Sequence, residues 1–386
     1  MSLMLQFSKS FVFVIIGCVF VALIIGFPRT CFHTVIRVTS IALVAISISW
    51  QVSGLVTQVW QSMRKKKCST HGKCVLITGC DTGFGHATAL HLNRIGFSVF
   101  AGCLFPDREG GSRLQRECKY PNKMRVVKFD VRSDSDIKKT YHVINKHVNE
   151  TGENLYAMVN NAGIAGWSPL EWGTMDHDID PVVSIDLTAV MKITRTFMPL
   201  LRKMPDSRIV FLTSQTSKIS IPYLAPYVVA KRGVKSFADV LRSEVDMDPA
   251  YYNNMKILNI QPTVYKTGLT EYDTALRNID KTWDRTSKSV QQAYGREIYD
   301  GFKNFVSWNK YFQAIDFIAY RSDLFEVARV IEQMIRIEDP ASNIDAMPLY
   351  AYYSYKQLVD CLPDESWDFL LTLQGTLLRN FSLSGI

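Results

Sequence analysis

Cys74-Val75-Leu76-Ile77-Thr78-Gly79-Cys80-Asp81-Thr82-Gly83-Phe84-Gly85 opens as an apolar run and closes on three glycines. The run predicts a buried strand, and His86 to Arg94 after it predicts a helix. Glycines between the two let the backbone turn sharply and approach a pyrophosphate with no Cβ in the way. The helix then offers its amide-rich, positive N-terminus to the phosphates. A glycine-rich loop alone is a weak signal; its position between strand and helix gives it weight.

The same alternation continues outward. Ser98 to Gly102, Met124 to Val131, Leu155 to Val159, Arg208 to Thr213 and Met255 to Ile260 read as further strands, with helical stretches between them. The fold class predicted is α/β, a Rossmann-like, doubly wound parallel sheet with helices on both faces. Directly after the fourth strand stands Asn160-Asn161-Ala162-Gly163, and the third ends in Phe129-Asp130-Val131.

Tyr227 and Lys231 are four apart, so on a helix they share one face. A tyrosine with a pKa of about 10 is a poor base at neutral pH, and an ammonium held close favours the phenolate. Ser214, just past the strand Arg208–Thr213, lies at the carboxyl edge where α/β sites form. Its hydroxyl can donate to a substrate oxygen as charge changes there.

Glycine loop (T-G-x-x-x-G-x-G), N-N-A-G, serine and Y-x-x-x-K, in that order and spacing, resemble the short-chain dehydrogenase/reductase family over about residues 72–270. The phrases TGCDTGFG and VFAGCL resemble its retinol, 17-beta-hydroxysteroid and D-beta-hydroxybutyrate dehydrogenase branch. By that resemblance Tyr227 is the general acid/base, Ser214 orients the substrate oxygen, and Lys231 lowers the Tyr227 pKa and binds the nicotinamide ribose. Thr78, Gly79, Asp81, Gly83, Phe84 and Gly85 surround the phosphates, Asp130 and Val131 lie near the adenine, and Asn160, Ala162 and Gly163 support the sheet beside the cofactor. Pro262 and Thr267 resemble the segment that contacts the nicotinamide carboxamide. The family's fourth catalytic residue, an Asn, falls at Asp186. That Asn helps hold a water beside the lysine; Asp186 either keeps this relay or adds a carboxylate that weakens the effect of Lys231 on Tyr227. Ser217, Thr263 and Ala230 are milder departures, from Gly, Gly and Ser. No metal site is expected.

The resemblance implies NAD, with NADP left open. The second strand ends Ala101-Gly102-Cys103-Leu104, with neither the carboxylate that marks NAD nor the arginine that marks NADP. Beyond Thr267, the aromatic residues Trp283, Tyr294, Tyr299, Phe302, Phe305, Trp308, Tyr311 and Phe312 fall where the family places its substrate lid. They suit a lipophilic ligand, a steroid or retinoid, or else simply pack helices. The alternatives are a short hydroxy acid of the hydroxybutyrate type, held by Lys281, Arg285, Lys288 or Arg296, and a weakly catalytic nucleotide-binding scaffold.

The chain has 386 residues with 47% hydrophobic and a net charge of +8. Its basic residues are scattered except for Arg64 to Lys67, which argues against nucleic acid. Eight cysteines without a C-x-x-C pair read as reduced thiols. Phe11 to Phe27 is uncharged and nearly wholly apolar, the mark of a retained membrane helix. Val38 to Met63 is a second uncharged stretch, spanning or interfacial, and the basic run after it points the following domain to the cytosol. Residues 1–67 are thus expected to form an anchor, and 72–386 the catalytic domain with a lid and C-terminal region from about 271. The membrane is that of the endoplasmic reticulum or of the mitochondrion. A homodimer is implied by the family resemblance.

Overall fold

A computed structural model describes residues 67–313 and 322–346. The anchor segments Phe11–Phe27 and Val38–Met63 lie outside these, as do the side chains of Phe305, Trp308, Tyr311 and Phe312. Among the described residues no helix is long and apolar enough to cross a membrane.

Seven parallel strands form the sheet: β1 (Lys73–Thr78), β2 (Ser98–Cys103), β3 (Met124–Lys128), β4 (Asn154–Asn160), β5 (Arg208–Leu212), β6 (Lys256–Pro262) and β7 (Asn343–Ala346), in the order β3-β2-β1-β4-β5-β6-β7. The order reverses between β1 and β4, and their carboxyl ends open the crevice in which such sheets bind ligands. Six of these strands were expected. β7 was not, because its sequence, Asn-Ile-Asp-Ala, carries no apolar run; pairing with β6 alone makes it a strand.

Alternation along β1 assigns each face its core. Val75 and Ile77 pack with Ala89 and Leu92 of α1 (Gly83–Arg94) and Val327 and Ile331 of a late helix (Phe325–Arg336). Cys74 and Leu76 point the other way, onto Ile137 and Ile144 of α3 (Asp134–Thr151), Ile193 and Phe197 of α5 (Ala189–Leu201), and Val234 and Leu241 of α6 (Ala225–Met247). A short α2 (Glu109–Glu117) follows β2. Local signals bound these helices: the Ser133 hydroxyl accepts from the Asp136 N–H at the start of α3, and Gly152, at φ 73°, ends it.

Before α5 the chain departs from regular α-helix. A four-residue α4 (Asp180–Val183) is joined to it by a π-helical turn, Ser184–Thr188, and Asp186 sits inside that turn with no exposed surface. Such turns widen a helix by one residue and so re-aim a side chain.

The region expected to form a lid contains, among the described residues, α7 (Tyr272–Arg285) and α8 (Lys288–Gln313), the latter broken at Gly295. It has a small core of its own, in which Ile279, Trp283, Tyr299, Phe302 and Val306 close on Trp172. The helix α9 is Phe325–Arg336.

Candidate active site

Three glycines shape the loop after β1. A Cβ on Gly85 would stand 2.2 Å from the Gly79 carbonyl oxygen, and one on Gly79 would stand 2.8 Å from Ala162 Cα. The loop therefore closes on itself and on the β4 loop only because side chains are absent. Asn161 pins the two loops together: its side-chain amide donates to the carbonyls of Thr78 (2.8 Å) and Gly79 (3.1 Å). The Thr78 hydroxyl accepts in return from the Asn161 and Ala162 N–H groups, each at 3.0 Å. Gly85→Ala is expected to lose dinucleotide binding by at least about ten-fold, read as a smaller cofactor-induced rise in melting temperature.

Asn160, expected beside the cofactor, turns the other way. It is buried, donating to the Thr194 hydroxyl at 3.4 Å, and it is Asn161 that fastens the crevice. Strand alternation decides which of two adjacent asparagines faces the loop.

The missing carboxylate after β2 is supplied from elsewhere. Asp81, on the glycine loop, accepts from the Leu104 N–H (2.8 Å) and the Phe105 N–H (2.9 Å), so its carboxylate stands at the carboxyl end of β2. Arg108 lies over the Phe105 ring, 3.9 Å from its centroid, and Lys128 donates to the Leu104 carbonyl. Asp81 lines the crevice, together with Asp130, Val131 and Arg132 from the segment after β3. Burial pushes the Asp130 carboxyl up, but the Arg132 backbone N–H and guanidinium outweigh it and hold it below the usual carboxylate value. Gly83 and Thr267 face one another across the loop mouth, the Cβ position of one 3.9 Å from the Cγ2 of the other. Pro262 ends β6 beside them.

On α6, Lys231 Nζ lies 5.4 Å from the centroid of the Tyr227 ring, so the two side chains converge as their spacing demands. Ser214, just past the end of β5, lines the same cavity as the phenol and pulls its pKa down, and its hydroxyl accepts from the Thr216 N–H at 3.2 Å. Lys231 donates to the Leu212 carbonyl at 3.4 Å and forms an ion pair with Asp186, Nζ to Oδ2, at 2.9 Å. The other oxygen of Asp186 accepts from the Ile164 N–H at 2.8 Å. Gly163 covers this pair, since a Cβ there would stand 2.7 Å from Asp186 Oδ2 and 3.1 Å from Lys231 Nζ.

Lys231 and Asp186 act on the phenol in opposite directions. Burial pushes the Tyr227 phenol above its ordinary value; Lys231 and Ser214 pull it down, and Asp186 pushes it up again. Lys231 lowers the phenol as expected, yet the net direction is upward because burial and Asp186 together prevail. Burial works against the Lys231 ammonium, but the Asp186 carboxylate outweighs it and holds that group protonated.

The short chain dehydrogenase family model matches residues 73–277, which contain every loop and side chain just described. The chain belongs to the short-chain dehydrogenase family. Membership brings dependence on a pyridine dinucleotide, NAD or NADP. The residues fit one, with a loop that side chains would obstruct and a carboxylate where a ribose diol is expected. Rat retinol dehydrogenase 7 is 32% identical over 242 residues, covering 62% of this chain and 72% of that protein. Human 17-beta-hydroxysteroid dehydrogenase type 6 is 29% identical, covering 64% and 73%. Mouse mitochondrial D-beta-hydroxybutyrate dehydrogenase is 30% identical over 59% of this chain, which spans 65% of that relative's length. In fold it is similar to a short-chain dehydrogenase/reductase from Mycobacterium marinum, with a TM-score of 0.55 at 15% identity, covering 72% of this chain and 94% of that one.

In this short-chain dehydrogenase the dinucleotide crevice and the space beyond the catalytic side chains form one cavity of about 1020 Å³ in all. Its lining includes the apolar and aromatic residues Trp167, Leu170, Trp172, Leu224, Tyr272 and Val306, and also His177, Lys281 and the Asp178–Arg285 pair. The lid aromatics singled out from the sequence have another destination. Trp283, Tyr294, Tyr299 and Phe302 pack around Trp172 at centroid distances of 4.6, 5.7, 6.0 and 5.4 Å, and build the lid's core, not the cavity wall. Arg285 and Thr282 both reach Asp178, tying α7 to the segment before α4.

Sequence reading also missed a support behind the serine. Gln215 donates to the Gln261 carbonyl (2.9 Å) and to Asp345 Oδ1 (3.0 Å), and Lys218 pairs with the same carboxylate at 2.9 Å. No local signal marks this set, because Asp345 reaches it only through the pairing of β7 with β6.

Proposed function

We propose that the protein is a membrane-anchored, NAD-dependent alcohol dehydrogenase exchanging hydride at the hydroxyl or carbonyl carbon of a steroid- or retinoid-like substrate. The observation carrying the reading is the convergence of Ser214, Tyr227 and Lys231 at the mouth of a large cavity with an apolar wall. Sequence similarity to retinol and 17-beta-hydroxysteroid dehydrogenases supports the substrate class. The apolar run Phe11–Phe27 supports the anchor, with residues 1–67 as membrane segment and 72–386 as catalytic domain in the cytosol, at the endoplasmic reticulum. A homodimer accords with the family.

The Ser214 and Tyr227 hydroxyls hold the substrate oxygen between them. In oxidation Tyr227, as phenolate, takes the proton from the alcohol; in reduction, as phenol, it gives one to the carbonyl oxygen. Ser214 stabilises the charge on that oxygen as the bond order changes. The dinucleotide, when bound, would supply the hydride acceptor for oxidation in its oxidised form and the hydride donor for reduction in its reduced form.

NAD is favoured over NADP by Asp81. A carboxylate has about four acceptor positions, and the two amides of Leu104 and Phe105 leave room for a ribose diol while the charge repels a phosphate. Asp81→Asn is expected to raise the ratio of kcat/KM with NADP to that with NAD about ten-fold.

A short hydroxy acid would need a cation for its carboxylate. Arg285 is paired with Asp178, Arg296 with Asp300, and Lys288 donates to Gln291. Lys281 lines the cavity together with the Asp178–Arg285 pair, beside a wall that includes Trp167, Leu170, Trp172, Leu224 and Val306, so the lipophilic reading is preferred. The test is a panel of sterols, retinols and 3-hydroxybutyrate offered to the full chain in detergent with either dinucleotide, following reduced-cofactor fluorescence. Turnover of the hydroxy acid alone would overturn the substrate class.

A further inference from the structure

We infer that Asp186 sets the pH range in which Tyr227 works: as a carboxylate locked to Lys231 it cancels the ammonium charge, keeps the phenol protonated through neutral pH, and biases the site toward giving a proton to a carbonyl oxygen. The inference rests on the acid/base role proposed for Tyr227 and deepens it.

The geometry leaves little alternative use for this carboxylate. It has no exposed surface, one oxygen lies 2.9 Å from Lys231 Nζ, and the other accepts the Ile164 N–H at 2.8 Å. The π-helical turn Ser184–Thr188 aims it, and Gly163 leaves it the space it needs. An unpaired buried ammonium beside a phenol stabilises the phenolate, typically by 1–3 pH units for charges within about 4–6 Å. Paired at contact distance, ammonium and carboxylate present the phenol with a dipole in place of a net charge, and the field falls off much faster.

The other groups around Tyr227 do not restore that charge. β5 contributes the Ser214 hydroxyl and the Leu212 carbonyl, and the β4 loop contributes Gly163 and the Ile164 N–H, none of them ionised. On the lid side of the cavity Asp178 is paired with Arg285, leaving His177 and Lys281 farther along the wall. At the dinucleotide end Asp130 is paired with Arg132, and Asp81 is negative. Burial first and then Asp186 push the phenol up against Lys231 and Ser214; burial also raises the Asp186 carboxyl, against the pull of Lys231 and the Ile164 N–H.

The step concerns the proton alone. The phenol gives it to the substrate oxygen as that oxygen gains charge, and the phenolate recovers one from solvent. Oxidation needs the phenolate, so its rate rises only on the alkaline side.

Ultraviolet difference titration of the apoprotein, wild type against Tyr227→Phe, isolates this one phenol without needing a substrate. The expected result is no Tyr227 phenolate through neutral pH in the wild type, and an apparent pKa lower by about 1–2 units in Asp186→Asn. In the pH profile of kcat/KM for oxidation, the same variant should shift the rise downward by a similar amount. A phenolate already present at neutral pH in the wild type would overturn the inference even if Asp186→Asn failed to fold. So would an unshifted Asp186→Asn titration. A correct titration in a protein that turns over no alcohol or carbonyl would instead count against the proposed function and leave the role of Asp186 standing.

Discussion

Tyr227→Phe is expected to lower kcat by about 10²–10⁴-fold while leaving KM and dinucleotide binding nearly unchanged. The substitution removes one oxygen, the phenol whose pKa Ser214 helps to lower. Ser214 keeps its bond from the Thr216 N–H, so the turn after β5 survives. The ring stays where α6 places it, and the shape of the cavity mouth is preserved. What is lost is the group that the proposed mechanism uses to exchange a proton with the substrate oxygen. Single-turnover measurement of hydride transfer, alongside a fluorescence titration of cofactor binding, separates the two quantities. Retention of wild-type kcat would refute the assigned chemistry, and equal losses in kcat and binding would point to a collapsed site.

Lys231→Met should damage stability as well as activity. It leaves Asp186 fully buried with one remaining partner, the Ile164 N–H. Stranding a buried charge in this way costs about 3–5 kcal/mol, measurable as a fall in the denaturant midpoint. The deficit has a definite pH dependence. Burial already holds the folded-state pKa of Asp186 above its unfolded value of about 3.9 against the pull of Lys231, and loss of Lys231 raises it further. The folded state then binds the proton more tightly than the unfolded state, so the deficit is largest at high pH. It shrinks as pH falls through the raised folded-state pKa, and is gone below the unfolded one. Lys231→Met with Asp186→Leu removes both charges and should return stability to within about 1–2 kcal/mol of the wild type, while turnover stays low. A single variant as stable as the wild type at alkaline pH would show that the pair is not the ion pair described.

Much of this molecule is written locally. The strand-glycine-helix unit at Cys74–Arg94 needs only an apolar run, residues without Cβ and a helix to follow, all adjacent in the chain. Tyr227 and Lys231 meet because one helical turn separates them, whatever surrounds the helix. The order of loop, N-N-A-G, Ser214 and Tyr227 then identifies the family, since each falls at the end of a strand or on the helix that covers it.

Other features depend on partners distant in sequence. Asp81 belongs by position to the phosphate loop, yet its carboxylate serves the end of β2, because strand order places those two loops side by side. Trp283, Tyr299 and Phe302 have a composition equally suited to a ligand pocket and a helix core, and only the position of Trp172 settles which. Asn160 and Asn161 are chemically identical, and the pleat of β4 sends one inward and the other to the crevice. Asp186 could be marked from sequence as a departure, but its effect depends on a 2.9 Å separation set by the π-helical turn and the approach of α6. The chain by itself thus determined which chemistry is present and on which elements it rides. Tertiary structure decided the charge state of that chemistry and the lining of its cavity, since electrostatic and packing energies depend on through-space distances that local sequence does not encode.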